Sequence, residues 1–339
     1  MKVVVAPDSY KECLSSREVA AAIGRALRRV HPDWEVVEMP LADGGEGTAD
    51  VLTRALGGTI FQADVSDPLG RPVKASFGIV DDTAIIEVAQ ACGLGLLAPS
   101  ERNPLFTGSR GVGELLLAAY ERGCRHFIVG LGGSATCDGG AGMLAVRGLK
   151  ETLADASFEI LCDVDNPFVG PSGAARVFGP QKGASPKDVE VLERRMIEQS
   201  ARLKAATGVD VSTVPGAGAA GGLGGAFLAC FGARLRSGID TILSLLNFES
   251  VVADAHLVIT GEGRSDRQTL AGKAAYGVLR RSGHVPVTLL SGRIDDRDAL
   301  LAAGFSSAIE VSPRSLPLSQ ALDPTLAILN IEAAVSEII

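Results

Sequence analysis

The strongest constraint on the fold is an alternation of short apolar runs and helical patterns at both ends of the chain. Near the amino end, "KVVVAP" and "WEVVEMP" read as buried parallel strands, and "SSREVAAAIGRALRRV" reads as a helix whose capping box is formed by Ser15 and Glu18. The alternation returns near the carboxyl end in "HLVITGEG", "GKAAYGVLRRSG", "VPVTLLSG" and "AIEVS". This pattern predicts one parallel-sheet domain built from both chain ends.

The middle of the chain has a different pattern. In "TIFQADVSDPLGRPVKASFGIVDDTAIIEVA" the strands alternate and are separated by turn signals, which predicts an antiparallel or mixed sheet. With 339 residues, two domains are expected. We therefore predict an α/β fold of two domains. One is a discontinuous, doubly wound parallel-sheet domain, residues 1–60 plus 250–339, and the other is an inserted mixed-sheet α/β domain, residues 61–249.

Composition narrows the function classes. The formal net charge is −8 and no run of lysine or arginine exceeds two, which argues against nucleic acid as a partner. The six cysteines are scattered without a C-x-x-C, so a zinc site is not expected and reduced intracellular thiols are the simplest account. No apolar stretch has the length of a membrane span, and "MKVVVAPDS" reads as a strand rather than a signal sequence. We expect a cytoplasmic protein with no membrane partner.

Acidic residues follow four of the predicted parallel strands. They are Asp8, Asp43, Glu262 and Asp295. Ligands of open parallel sheets bind beyond the carboxyl ends of the strands, so these four positions predict a shared site.

Two of these acids belong to motifs with further chemistry. "ADGGEGT" sets Asp43 and Glu46 among glycines, although acids would repel the phosphate that glycine loops usually bind. A phosphate loop, a metal loop and a simple turn all remain open for it. "PDSYKE" places Asp8 and Lys11 between a strand and a helix, where lysine can neutralise phosphate and aspartate can orient a hydroxyl or hold a metal.

Two glycine patterns resemble dinucleotide fingerprints without their usual context. "GLGGSATCDGGAGM" fits G-x-G-x-x-A from Gly130 to Ala135, but "CDGGAG" interrupts the helix that should follow. "GAGAAG", residues 216–221, follows Pro215, and tight backbone packing is the favoured interpretation there. A nicotinamide-dependent oxidoreductase therefore remains only an alternative.

Three further motifs contain carboxylates and lysines that could belong to the site. "CDVDNP" sets Asp163 and Asp165 on one face of an extended segment beside Asn166, which suits Mg²⁺ or a hydroxylated substrate. "FGPQKG" adds Lys182, and "TGEGRSDRQTLAGK" combines the charged residues Glu262, Arg264, Asp266 and Lys273 without forming a Walker loop. Carboxylates, lysines and glycine loops are the groups that phosphoryl transfer uses, with Mg²⁺ on the carboxylates.

Taken together, these motifs resemble the glycerate kinase family of the bacterial type that has no Walker loop. The matching stretches are "APDSYKECLSS", "PLADGGEGTADVL", "DPLGRPV", "NPLFTGSRGVGELL", "GLGGSATCDGGAGML", "CDVDNPFVGPSGAARVFGPQKGA", "PGAGAAGGLGGAF" and "VITGEGRSDRQTLAGKAAYGV". The resemblance implies ATP- and Mg²⁺-dependent phosphorylation of D-glycerate, usually to 2-phosphoglycerate, in the cleft between two α/β domains. A homodimer is compatible with the sequence, and a non-catalytic relative that binds ATP or a hydroxy acid is a further alternative.

The resemblance, read together with the motifs, gives a set of expected site residues. We assign catalysis to Asp8, Lys11, Asp43, Asp163 and Lys182. Substrate or ATP binding is assigned to Gly44, Gly45, Glu46, Gly132, Gly133, Ser134, Asp138, Asn166, Arg264 and Lys273. Metal binding is assigned to Asp165, Glu262 and Asp266.

This chain departs from the family in two places. Cys137 stands where the family usually has asparagine, and the segment near residues 148–158 is shorter than usual. Since the flanking motifs are intact, we expect a trimmed periphery with the chemistry retained; an altered substrate preference or subunit contact is the alternative.

Overall fold

A computed structural model describes residues 1–336 and 338. Its strands are β1 Lys2–Val5, β2 Glu35–Glu38, β3 Thr59–Ser66, β4 Pro72–Val80, β5 Thr83–Glu87, β6 His126–Gly130, β7 Ser157–Leu161, β8 Arg234–Arg236, β9 Leu257–Thr260, β10 Arg264–Ser265, β11 Val287–Ser291, β12 Arg293–Ile294 and β13 Ser307–Glu310.

The helices range from single turns to one of 22 residues. They are α1 Ser16–Val30, α2 Thr48–Ala55, α3 Ala89–Cys92, α4 Arg110–Glu121, α5 Ala141–Leu144, α6 Leu149–Thr152, α7 Ala174–Phe178, α8 Pro186–Thr207, α9 Ala219–Phe231, α10 Gly238–Leu245, α11 Phe248–Val252, α12 Ala274–Arg281, α13 Arg297–Ala302, α14 Leu318–Ala321 and α15 Pro324–Ser336.

The chain divides into two compact units. Unit 1 comprises residues 1–43 and 239–339, and unit 2 comprises residues 44–238. The sequence pattern places these limits near residues 60 and 250. Unit 1 contains a parallel sheet and unit 2 a mixed sheet, which confirms the predicted α/β fold class.

Unit 1 is organised around a five-stranded sheet in the order β13-β11-β9-β1-β2. All four strand pairs are parallel. Helix α1 begins at the predicted capping box, since Ser15 caps Glu18 and the Glu18 carboxylate accepts from the backbone N–H of Ser15. Its apolar face, including Ile23, packs with Ile259 and with Ile331 of α15 in one core. The sheet is therefore covered on this face by helices from both chain ends.

Unit 2 is organised around a six-stranded sheet in the order β3-β4-β5-β6-β7-β8. The pairs β3·β4 and β4·β5 are antiparallel, and the following three pairs are parallel. Its main core packs the rings of Phe127, Phe158 and Phe227 together, with centroids 4.9 Å and 5.8 Å apart. Strands β5, β6 and β7 run in the same direction, so their carboxyl ends meet at one edge of the sheet.

Glycines determine how α9 packs in unit 2. The chain turns at residues 220–222, where Gly221 and Gly222 have φ of +65° and +93°. A Cβ on Gly221 would lie 1.9 Å from the Thr136 carbonyl oxygen, and one on Gly225 would lie 2.4 Å from the ring of Phe168. The "GAGAAG" pattern therefore serves close backbone packing, which is the interpretation that its sequence context favours.

Candidate active site

The strand order of unit 1 reverses between β1 and β9. From β1 the chain proceeds outward to β2, whereas β9, β11 and β13 proceed outward on the opposite side. In open parallel sheets such a switch point forms a crevice at the carboxyl ends of the two strands. Asp8 follows β1 and Glu262 follows β9, and the backbone N–H of Asp8 donates to the Gly261 carbonyl at 2.8 Å. Both acids therefore flank the crevice.

A cavity of about 580 Å³ opens at this crevice. All four acids that follow the predicted strands line it: Asp8, Asp43, Glu262 and Asp295. Four cations line it as well: Lys11, Arg264, Lys273 and Arg293. The structure thus brings these four acids together around one cavity, whose volume is in the usual range for small-molecule sites.

Asp8 is a buried carboxyl group of this cavity, and its pKa is strongly raised. Its side chain is buried, with 5% of its surface exposed, and Oδ1 accepts from the Ser9 N–H at 2.7 Å. Burial, followed by repulsion from Asp43, raises the pKa of Asp8 to about 8, although Lys11 opposes the shift. Asp8 can therefore exchange a proton near neutral pH.

Glu262 is buried and surrounded by donors. Its Oε1 accepts from Ser265 Oγ at 3.0 Å and from Thr269 Oγ1 at 2.5 Å, and its Oε2 pairs with Lys273 Nζ at 3.1 Å. These contacts anchor the 3₁₀ turn at Arg267–Ala271 and hold Lys273 at the cavity wall. Glu262 is one of the expected metal ligands, and in the structure its oxygens accept from protein donors.

Asp266 lies at the start of the same turn. Its Oδ1 accepts from the Gln268 N–H at 2.7 Å, which makes Asp266 the N-cap. It is not among the residues that line the cavity.

Two arginines form a cationic rim. Arg264 and Arg293 are register partners in the short parallel pair β10·β12. Both contact Asp295, at 2.6 Å from Arg264 Nε and 3.4 Å from Arg293 Nε. The bond from Arg264 lowers the pKa of Asp295, so this carboxyl stays ionised and orients both guanidinium groups.

In unit 2, the glycines of "ADGGEGT" serve backbone packing. A Cβ on Gly130 would lie 2.3 Å from the Gly44 carbonyl oxygen, and one on Gly132 would lie 2.6 Å from the Gly45 Cα. The two glycine loops can approach this closely only without side chains. Glu46, in the same loop, is exposed.

Glu87, at the end of β5, contacts the first turn of helix α2, which follows this loop. It is buried, and its Oε1 accepts from the Ala49 N–H at 2.7 Å in the first turn of α2. Burial raises the pKa of Glu87. Glu87 is not among the residues expected from the sequence, although an acid that ends the apolar run "AIIE" is a signal that it lies at the end of a buried strand.

The glycine loop after β6 is organised by Asp138. Asp138 Oδ2 accepts from Ser109 Oγ at 2.8 Å and from the N–H groups of Ser109 and Gly142, and Oδ1 accepts from the Gly140 N–H. The helix that follows, α5, has four residues, so the long helix of a dinucleotide fingerprint is absent at this described position. Asp138 therefore shapes the loop, and the nicotinamide alternative lacks its structural context.

Lys182 is buried beneath this loop. Its Nζ donates to Ser134 Oγ at 2.9 Å and to the Thr136 carbonyl at 2.7 Å. Burial lowers the pKa of Lys182. Cys137 is also buried, and burial raises the pKa of this thiol to about 11, so it remains protonated near neutral pH.

The remaining expected residues lie after β6 and β7. Asp163 and Asp165 are exposed, and Asp163 Oδ1 accepts from the Gly238 N–H at 2.9 Å. Asn166 Nδ2 donates to the Ser172 carbonyl at 2.8 Å. Gly133 accepts from the Leu94 N–H through its carbonyl at 2.9 Å. Hydrogen bonds of Asp163, Asn166 and Gly133 are thus used to shape loops.

Within residues 1–336 and 338, no three or more His, Cys, Asp or Glu side chains are grouped so as to hold a metal ion. In the same part of the chain, no helix combines the length and apolar character that crossing a membrane requires.

Comparisons with known proteins converge. The model described as "Glycerate kinase family" matches residues 3–150 and 144–339. The chain is 42% identical to "Glycerate kinase" of Bacillus subtilis (strain 168), covering 95% of this chain and 93% of that protein. It is 45% identical to "Glycerate 2-kinase" of Escherichia coli (strain K12), covering 87% and 86%.

A solved structure agrees in fold. The structure described as "putative glycerate kinase 2 from Salmonella typhimurium LT2" superposes with a TM-score of 0.85 at 39% identity, covering all of this chain and 97% of that one. The two family-model segments overlap at residues 144–150.

Proposed function

Because the chain belongs to the glycerate kinase family, we propose that it transfers the γ-phosphoryl group of ATP to D-glycerate and yields 2-phosphoglycerate and ADP. Membership makes it a kinase, and the name "Glycerate 2-kinase" of the Escherichia coli relative favours the 2-phosphorylated product. The observation that carries the proposal is the cavity at the switch point of unit 1, where four acids and four cations converge.

Asp8 is the proposed general base. In the reaction, a hydroxyl oxygen of glycerate forms a bond to the γ-phosphorus while the bond from that phosphorus to ADP breaks, and the hydroxyl proton must be accepted. A carboxylate with a pKa near the working pH is suited to accept it, and Asp8 has a pKa of about 8. Its fixed position, through the bond to the Ser9 N–H, would orient the hydroxyl.

The cations supply the anion-binding groups. Glycerate brings a carboxylate and ATP brings phosphates, and Lys11, Lys273 and the two arginines of the rim line the cavity. Arginine can bind carboxylate or phosphate in a bidentate fashion, and lysine acts as a point charge. Lys273 is held at 3.1 Å by Glu262, so its ammonium group is positioned before substrate binds.

The donor chemistry of the cavity fits Mg²⁺. Kinases commonly bind this ion through one or two carboxylates, together with phosphate oxygens and water. Asp43 is half-buried, lines the same cavity and repels the carboxyl group of Asp8. A divalent cation bound beside these two acids would relieve that repulsion, so Asp43 is the proposed Mg²⁺ ligand. When bound, Mg²⁺ supplies charge neutralisation on the phosphates.

The proposal is tested by a coupled ADP-release assay with D-glycerate, followed by ³¹P NMR of the product. We expect ATP-dependent turnover and a phosphomonoester on the C2 hydroxyl. Absence of turnover at millimolar D-glycerate would contradict the proposal, and phosphorylation at C3 would overturn the regiochemistry alone. Asp43→Asn should lower kcat and raise the Mg²⁺ concentration needed for half-maximal rate, whereas the matched variant Asp298→Asn, at an exposed position outside the cavity, should not.

A further inference from the structure

The cavity of unit 1 continues beyond its charged residues along an apolar wall. We call the lining residues from Val311 to Leu322 the 311–322 wall. It includes the apolar residues Val311, Leu316, Leu318 and Leu322. Leu316 and Leu322 are half-buried, and Leu318 is 73% exposed. A cavity that receives only D-glycerate has no need of this wall, because every carbon of glycerate carries oxygen.

The 311–322 wall is held against the switch-point loops by named contacts. The Val311 N–H donates to the Ser291 carbonyl at 2.8 Å, and the Ser312 N–H donates to the Gly292 carbonyl at 3.1 Å. Further along, Cys13 Sγ lies 3.9 Å from the Ala321 carbonyl oxygen. The apolar wall is therefore fixed at both of its ends to segments that also line the charged part of the cavity.

Bare backbone joins the apolar wall to the cationic rim. A Cβ on Gly292 would lie 2.6 Å from the Gly263 carbonyl oxygen, so the two backbones are in close contact, and both glycines line the surface of the cavity. Arg293 follows Gly292 and Arg264 follows Gly263 in the chain. A ligand that lies across this surface can contact the apolar wall with one end and both guanidinium groups with the other.

We propose that the 311–322 wall binds the nucleobase of the phosphoryl donor, with the donor's phosphates directed toward Arg264 and Arg293. The inference rests on the proposed function, since it names the subsite of the nucleotide in that reaction. A nucleobase is a flat aromatic group whose two faces are apolar, and it is the only such group among the two substrates. Ligand pockets of this size are commonly apolar with a few polar groups that fix orientation. The arginines use Nε on Asp295 and are 69% and 47% exposed, which leaves guanidinium N–H groups for phosphate.

The experiment separates base binding from phosphate binding. The variants are Ala321→Trp, which fills the apolar part of the cavity, and Leu316→Ser, which makes it polar. Leu329→Trp is the matched control, because Leu329 lies on α15, is 58% exposed and does not line the cavity. Isothermal titration calorimetry measures the Kd of ADP and of inorganic tripolyphosphate, which has no base, and the KM of D-glycerate is recorded alongside. Near-UV circular dichroism shows whether each variant is folded.

We expect the Kd of ADP to rise about tenfold or more in Ala321→Trp and Leu316→Ser. Tripolyphosphate affinity and the KM of D-glycerate should stay near their wild-type values, and Leu329→Trp should match the wild type. If the wild type binds no ADP, the proposed function itself is wrong. If both folded variants bind ADP like the wild type, or lose ADP and tripolyphosphate equally, the nucleobase site is wrong while the kinase proposal stands. Should Ala321→Trp not fold, Leu316→Ser decides by the same criteria.

Discussion

Gly130 and Gly44 meet so closely that a Cβ on Gly130 would lie 2.3 Å from the Gly44 carbonyl oxygen. Gly130 ends β6, and Gly44 begins the acidic glycine loop that follows Asp43. The contact joins two of the glycine-rich motifs in the sequence through their backbones. The position of "ADGGEGT" therefore depends on the absence of a side chain in a different loop.

This contact predicts the effect of Gly130→Ala. Since the added methyl group would meet backbone, which cannot move away cheaply, we expect a loss of stability of about 1–3 kcal/mol or more. The measurement is the urea midpoint of unfolding at constant m-value. Gly95→Ala is the matched control, because a Cβ there meets nothing within 4 Å, and its stability should change by less than about 0.5 kcal/mol. Equal stability of the two variants would remove the packing argument.

The second prediction concerns catalysis by Asp8. Asp8→Asn keeps the side-chain shape and an oxygen that can accept from the Ser9 N–H, but it cannot accept a proton. We expect kcat to fall about 10²–10⁴-fold with a smaller change in KM. Asp298→Asn serves as the control at an exposed site. A kcat for Asp8→Asn within a few-fold of the wild type would exclude Asp8 as the base.

The third prediction concerns stability and pH. The pKa of Asp8 is raised from 3.8 to about 8 in the folded protein. Between these values folded Asp8 holds a proton that the unfolded chain has released, so the free energy of unfolding falls as pH rises through this window. Asparagine does not titrate, so in Asp8→Asn this contribution does not lower the free energy of unfolding as pH rises. Relative to the wild type, the variant should gain on the order of 2–4 kcal/mol between about pH 5 and about pH 9.

Thermal unfolding in EDTA without nucleotide measures this difference. Below about pH 3 the relative stability of the two proteins should no longer depend on pH, because Asp8 is then protonated in both folded and unfolded states. A stability difference that is constant from pH 5 to pH 9 would show that the pKa of Asp8 is not raised.

The fourth prediction concerns Glu87 and the start of α2. Glu87→Leu removes the acceptor of the Ala49 N–H, which is buried, and should cost about 1–3 kcal/mol. Glu87→Gln keeps an acceptor oxygen. Since burial already raises the pKa of Glu87, a neutral side chain is tolerated and the glutamine variant should lie within about 1 kcal/mol of the wild type. Chemical denaturation of both variants checks the order, and similar losses for the two would show that the hydrogen bond contributes little.

The fold class follows from the sequence because local signals and burial patterns agree. The capping box of Ser15 and Glu18 starts α1 where the pattern predicts this helix. Apolar runs mark the parallel strands, since both faces of such strands are buried. The carboxyl ends of those strands then place Asp8, Asp43, Glu262 and Asp295 at one edge of a sheet without knowledge of any contact.

The use of each side chain was decided by tertiary structure. Glu262 and Asp138 are of a residue type that often binds ligands. In the structure, however, Glu262 accepts from Lys273 and Asp138 accepts from Ser109, and both contacts shape loops. The glycines at 44 and 130 look like a phosphate loop, but serve a backbone contact. Residue type and spacing by themselves determined the fold class and the edge of the sheet that carries the acids. Which donors an acid meets depends on contacts that lie 11 residues along the chain for Glu262 and Lys273, 29 for Asp138 and Ser109 and 31 for Asp295 and Arg264, and only the folded chain brings those donors into hydrogen-bond range.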